Sequence, residues 1–125
     1  MRWFWAWTVQ MTLKKKHARR NKAFCEVWKN LILVRAHNAE EAYDKACAIG
    51  RLSEGDDQGR LTLSDQPATT VFLGLADFGV VHDPLRHGAE ILWQEKWCNQ
   101  STARKMVCDK STLCREVAEE LKYVR

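Results

Sequence analysis

Ile32-Leu33-Val34-Arg35-Ala36-His37-Asn38-Ala39-Glu40-Glu41-Ala42-Tyr43-Asp44-Lys45-Ala46-Cys47-Ala48-Ile49-Gly50 is the stretch in which the period of the chain changes. Up to Ala36 the side chains alternate as in a strand. From Ala39 onward, Ala39, Ala42, Tyr43, Ala46 and Ile49 recur at three- and four-residue steps, with Glu40, Asp44 and Lys45 on the other side. That spacing predicts a helix whose apolar stripe lies on a sheet, and its small residues permit a close approach. Asn38-Ala39-Glu40-Glu41 matches a capping box: Asn38 can accept the backbone N–H three residues on, and Glu41 can reach back. Gly50 or Gly55 offers the stop, and Gly55-Asp56-Asp57-Gln58-Gly59 is a turn-rich connector.

Working upstream, Ala23 to Ala36 is extended, with Phe24, Trp28, Ile32 and Val34 on one parity and Cys25, Val27, Leu31 and Leu33 on the other. Apolar residues on both faces predict a central strand, or a bulge near Lys29 and Asn30 that swaps the faces. Before it, Trp3, Trp5, Trp7, Val9, Met11 and Leu13 share one face of a half-buried strand, while Ala6, Thr8, Gln10 and Thr12 point the other way. The tryptophan row reads as core filling, since each ring buries a large apolar area. Between these strands Lys14, Lys15, Lys16, Arg19, Arg20 and Lys22 fall at a hairpin tip.

Downstream, Leu61 and Leu63 suggest a short strand that Gln66-Pro67 interrupts before a β-prone run from Thr69 to Val81, in which Val71, Leu73 and Leu75 oppose Phe72, Ala76 and Phe78. A loop, His82 to Gly88, leads into a strand alternating Ala89, Ile91, Trp93 and Trp97 with Glu90, Gln94 and Lys96, which would close a second hairpin. From Ser101 the period is helical again, and Leu113, Cys114, Val117, Ala118, Leu121 and Val124 form a stripe. The expected fold class is α+β, a mostly antiparallel sheet of four or five strands with one helix packed on a face and a C-terminal helix. The expected organisation is a single domain, 1–125, with a core of residues 1–98 and a helical extension, 99–125.

Composition bounds the function classes. A chain of 125 residues with 46% apolar and 29% charged side chains fits one core and is too apolar for disorder. The longest apolar runs, Trp3 to Trp7 and Val71 to Ala76, are too short to span a bilayer, so no membrane partner is expected. Cys25, Cys47, Cys98, Cys108 and Cys114 are odd in number, and the N-terminus lacks a signal-like aliphatic stretch. Both point to the cytoplasm, with the cysteines as free thiols and small core hydrophobes. The formal net charge is +4, yet six of the twenty basic residues lie between Lys14 and Lys22, leaving 14 basic against 16 acidic elsewhere, a net of −2. Such a cluster reads first as a solvated loop and second as a nucleic-acid contact through phosphates.

Leu33-Val34-Arg35-Ala36, Ala39-Glu40-Glu41-Ala42, Lys45-Ala46, Gly50, Phe72-Leu73-Gly74-Leu75-Ala76-Asp77 and Gly88-Ala89-Glu90-Ile91 together resemble a small bacterial family, domain of unknown function 4288, over roughly residues 3–97. The resemblance implies a tryptophan-led strand, a hairpin, a capped helix, a closing Gly-x-Glu strand and a bacterial source, including genes carried on mobile cassettes. The lysine-rich tip and the tail after Ser101 depart from the pattern. The family has no established activity, so no site residue is carried over.

No catalytic fingerprint is present. Zinc would need Cys98, Cys108 and Cys114 with His82 or His87, but only the histidine pair has ligand-like spacing, so neither metal nor cofactor is expected. The acid–base candidates are His82, Asp83, His87 and Glu90, against a plain turn reading of Asp83-Pro84 and Gly88. Cys47 and Cys114 lie on apolar helix sides, where burial blunts a thiol. The leading expectation is a non-catalytic binding or assembly domain. It would be a homodimer through Leu113, Val117 and Leu121, with an apolar pocket for a small molecule or protein partner. A nucleic-acid module using the basic tip is the first alternative and a small acid–base enzyme the second.

Overall fold

Strand β1 (Arg2–Lys14) pairs along both its edges. It runs antiparallel to β2 (Glu26–Ala36) on one side and to β4 (Gln66–Val80) on the other. The short β3 (Thr62–Leu63) pairs with the start of β4, giving the order β2-β1-β4-β3. Because β2 and β4 are both antiparallel to β1, they run in the same direction. Their connection must cross the sheet, and α1 (Ala39–Arg51) makes that crossing, packing on β1, β2 and β4. The computed structural model describes residues 1–124 and divides into two compact units, Met1–Trp93 and a second beginning at Gln94. The fold class is α+β, as expected.

The face that α1 covers is the reverse of the expected one. Phe4 and Ala6 of β1, Val34 and Ala36 of β2, and Ala42 and Ala46 of α1 form the core, with Ile32, Leu75, Phe78 and Val80 packed against it. Ala6, Ala36, Ala42 and Ala46 are wholly buried, and their small size lets helix and sheet backbones come close. Thr8 and Thr12, read as pointing away from the core, are buried on this face. Each stays hydrogen bonded: Thr8 Oγ1 donates to the Asn30 carbonyl at 3.4 Å, and Thr12 and Thr70 share a 2.9 Å hydroxyl bond. The tryptophan row lies on the opposite face, half-buried. Trp5 packs on Gly79, where a Cβ would come within 2.7 Å of the indole, and Arg35 and Lys29 lie over Trp3 and Trp7 at 5.7 and 5.6 Å.

Strand positions also differ from the reading. β2 is neither central nor bulged: its register with β1 is continuous from Arg2↔Ala36 to Thr12↔Glu26, and it lies at the sheet edge. The bulges are in β4, where the register shifts between Trp7 and Thr8 and between Val9 and Gln10. Each extra residue reverses parity, which puts Phe72, Leu75 and Phe78 on the helix face rather than leaving Leu75 with Val71 and Leu73. Gly74, at φ 138°, supplies backbone that other residues rarely adopt. Gln66 and Pro67 do not break the strand but start it. Ser64 and Asp65, both at positive φ, form the tight turn that pairs them with Leu63 and Thr62.

The expected strand from Ala89 to Trp97 and its hairpin are absent: residues 81–99 are irregular. In the second unit the expected single helix is two, α2 (Gln100–Arg104) and α3 (Lys110–Leu121). Asn99 caps the first through the Thr102 N–H and Asp109 the second through the Thr112 N–H, which divides the helical run. Neither helix contains a buried residue. Of the cysteines only Cys47 is buried; Cys25, Cys98, Cys108 and Cys114 are exposed, so the core-thiol reading fails for those four, which lack a covering layer.

Candidate functional site

The hairpin register fixes where the basic segment goes. β1 reaches Lys14 opposite Ala68 of β4, while β2 starts at Glu26 opposite Thr12, so the β1–β2 tip and the β3–β4 turn meet at one end of the sheet. Beyond Lys14 the chain makes a 3-10 turn over Lys15–His17, followed by Arg20 N–H to His17 carbonyl and Ala23 N–H to Arg20 carbonyl bonds. These turns fold the chain back so that Lys14, His17 and Arg20 border one concavity. Together with Lys22, Ala23, Phe24, Cys25, Glu26, Leu63 and Ser64 they line a cleft of about 670 Å³.

The six sequence-selected cations therefore separate. Lys14, Arg20 and Lys22 line the cleft, whereas Lys16 and Arg19 are exposed outside its lining. Lys15 instead pairs with Asp56 and ties the tip to the loop after α1. The Lys15 side chain first, then the Gly59 N–H, hold the Asp56 carboxyl below the usual carboxylate range. Asp56 is positioned in turn by a Gly55–Thr70 bridge and by the Leu61 N–H to Asp56 carbonyl bond of 2.9 Å. Desolvation first, then the charges of Arg20, Lys16 and Lys14, hold His17 below the ordinary imidazole range. Among the described residues, no carboxylate forms an ion pair with Lys14, Arg20 or Lys22. Glu26, the acidic group of the lining, accepts the Trp28 indole N–H at 2.7 Å.

His17 and Phe24 were not singled out from the sequence. The signal for His17 was its place inside the basic run, while the role of Phe24 depends on where the strand begins, since β2 starts only at Glu26. The lining mixes the apolar Ala23, Phe24 and Leu63 with three cations, Lys14, Arg20 and Lys22, and the Glu26 carboxylate. A second cleft of about 350 Å³ lies on α1 among Ala39, Glu40, Tyr43, Asp44 and Phe78.

The acid–base candidates lie in the loop after β4. The Asp83 carboxylate accepts the Glu90 backbone N–H at 3.2 Å, and the His82 ring packs on Trp93 with centroids 5.3 Å apart. His82, His87 and Glu90 are exposed. Among the described residues, no three His, Cys, Asp or Glu side chains are grouped to hold a metal ion. Leu113, Val117 and Leu121 are exposed on α3. No helix among the described residues is long and apolar enough to cross a membrane.

A family model described as a domain of unknown function (DUF4288) matches residues 3–93. The chain belongs to this family. The DUF4288 match covers the tryptophan strand, both partner strands, α1 and the cleft, and ends where the first compact unit ends. The helices α2 and α3 lie beyond it. No curated protein and no solved structure matches the chain.

Proposed function

We propose that this DUF4288 chain is a non-catalytic binding and assembly domain that works as a homodimer, with the free edge of β2 as its interface. The observation that carries this is the state of β2. Eleven residues long and without proline or bulge, it is an edge strand exposing Val27, Trp28, Leu31 and Leu33 at 55, 50, 41 and 37%. Edges of this length and composition offer unpaired backbone groups to another strand, and monomers usually blunt them with charge, proline or a covering loop. The two cations of β2, Lys29 and Arg35, are drawn over Trp7 and Trp3 of the neighbouring strand.

A second copy fits the edge better than an unrelated strand because β2 is close to self-complementary. Antiparallel pairing about a two-fold axis at Asn30 keeps each face of the sheet continuous. It sets Val27 opposite Leu33, Trp28 opposite Ile32 and Lys29 opposite Leu31. Centring on Ile32 would oppose Lys29 to Arg35, like charges that repel. A reducing bacterial cytoplasm is the setting we infer, since four exposed free thiols are poorly suited to an oxidising compartment.

Light scattering over a dilution series is the test. The wild type is expected at twice the chain mass, Leu31→Lys at the monomer mass with an unchanged circular dichroism spectrum, and Leu121→Lys still dimeric. A monomeric wild type at tens of micromolar, or a dimer lost through Leu121→Lys and kept in Leu31→Lys, overturns the assignment.

A further inference from the structure

The cleft at the hairpin tip combines two features that the dimer reading does not use. Lys14, Arg20 and Lys22 converge on one concavity and, among the described residues, form no ion pair with a carboxylate. On the same lining Phe24 is 97% exposed, a large aromatic ring left in water beside fixed positive charge. Cation-lined grooves that follow a phosphate backbone, with aromatic rings on which bases stack, are how proteins hold single-stranded nucleic acid. A duplex keeps its bases stacked inside and cannot lay one on Phe24. The volume of about 670 Å³ lies in the range of sites that enclose small organic groups. The pairing of Lys15 with Asp56 ties the first turn of the tip to the loop after α1, next to the cleft.

We infer that this cleft holds a short run of single-stranded nucleic acid, Lys14, Arg20 and Lys22 each meeting a backbone phosphate and one base stacking on the Phe24 ring. The Ser64 hydroxyl and the His17 imidazole are further polar groups of the lining, and its one carboxylate, Glu26, is engaged by the Trp28 indole N–H. Contact is confined to one end of the sheet, because the rest of the chain carries a net charge of −2. Affinity is therefore modest and salt-sensitive.

Fluorescence anisotropy of the full chain with a labelled 12-mer of thymidylate tests this. Binding at 20 mM salt should weaken with a log–log slope of about −2, the value for roughly three phosphate-neutralising groups on a single strand. Phe24→Ala should bind about tenfold more weakly with the same slope, as loss of one stacked base requires. Arg20→Gln with Lys22→Gln should weaken binding and bring the slope to about −0.7. A duplex of the same length and free thymidine monophosphate should each bind at least tenfold more weakly than the single strand. Circular dichroism melts establish that both variants are folded, and Phe24→Leu, which keeps bulk but not the ring, should resemble Phe24→Ala. Absence of binding at 20 mM salt overturns the inference, as does an unaffected Phe24→Ala. Duplex binding as tight as single strand would reduce the tip to an unspecific phosphate contact. Thymidine monophosphate competing as well as the 12-mer would make it a free-nucleotide site.

Discussion

Glu41 does two jobs at the start of α1. Its Oε2 accepts the His37 backbone N–H at 2.9 Å and its Oε1 meets Lys45 Nζ at 2.9 Å, while its own N–H donates to Asn38 Oδ1. The bond from His37, then that from Lys45, bring its pKa from 4.5 to about 2. A carboxyl that binds its proton less tightly when folded stabilises the fold fully above pH 4.5 and loses that contribution as the pH falls toward 2. Thermal melts between pH 6 and 2 should therefore show the midpoint of the wild type falling more steeply below 4.5 than that of Glu41→Gln, the two curves converging near pH 2. Asn38→Ala should cost about 1 kcal/mol in urea denaturation, the usual value of an N-cap. This cap was readable in advance because it depends on four consecutive residues. The reach of Glu41 to His37, one residue before the cap, follows from the path of the chain as it leaves β2.

At the scale of elements, α1 sits so close to the sheet that Gly50 has no room to grow. A Cβ there would fall 2.2 Å from the Phe72 ring, which also carries the Arg51 guanidinium at 5.9 Å. Alanine is the better helix former, yet overpacking costs about 1–3 kcal/mol, so Gly50→Ala should lower stability by about 1 kcal/mol. Urea unfolding of Gly50→Ala alone and combined with Phe72→Leu checks the cause: relief by the second change is expected, and additive losses would exclude the contact. Periodicity located β1, α1 and β2 because alternation and helical spacing are local. It put a possible stop at Gly50, one residue from the observed end at Arg51, but could not show that Gly50 is pressed against Phe72, a residue 22 positions away. The strand expected from Ala89 to Trp97 failed for a related reason: alternation without a neighbour to pair with is insufficient to make a strand.

For the whole molecule, the DUF4288 match and the first compact unit share their end at Trp93. The helices beyond it contain no buried residue. A chain of residues 1–93 should keep a cooperative melt with a midpoint within a few degrees of the full chain; a broad, non-cooperative transition would show that the second unit is needed. Melts with and without chelator should superimpose, because no metal-ligand grouping occurs among the described residues.

What the sequence determined by itself was local: the strand alternation of β1 and β2, the Asn38 cap, the period of α1, the basic tip between two extended runs, and the family. These depend on residues a few positions apart, whose energies are settled before the chain closes on itself. The tertiary structure alone decided which face of β1 is covered, that β2 is an edge, and that Lys14, Arg20, Lys22 and Phe24 face one cleft. The alanine-rich face won over the tryptophan row because α1 can approach closely only over small side chains, with four alanines wholly buried at the contact. The place of β2 followed from α1 crossing to the far side of β1, which put β4 there and left the other edge of β2 open. Both outcomes rest on pairings between residues tens of positions apart, and no local period encodes them.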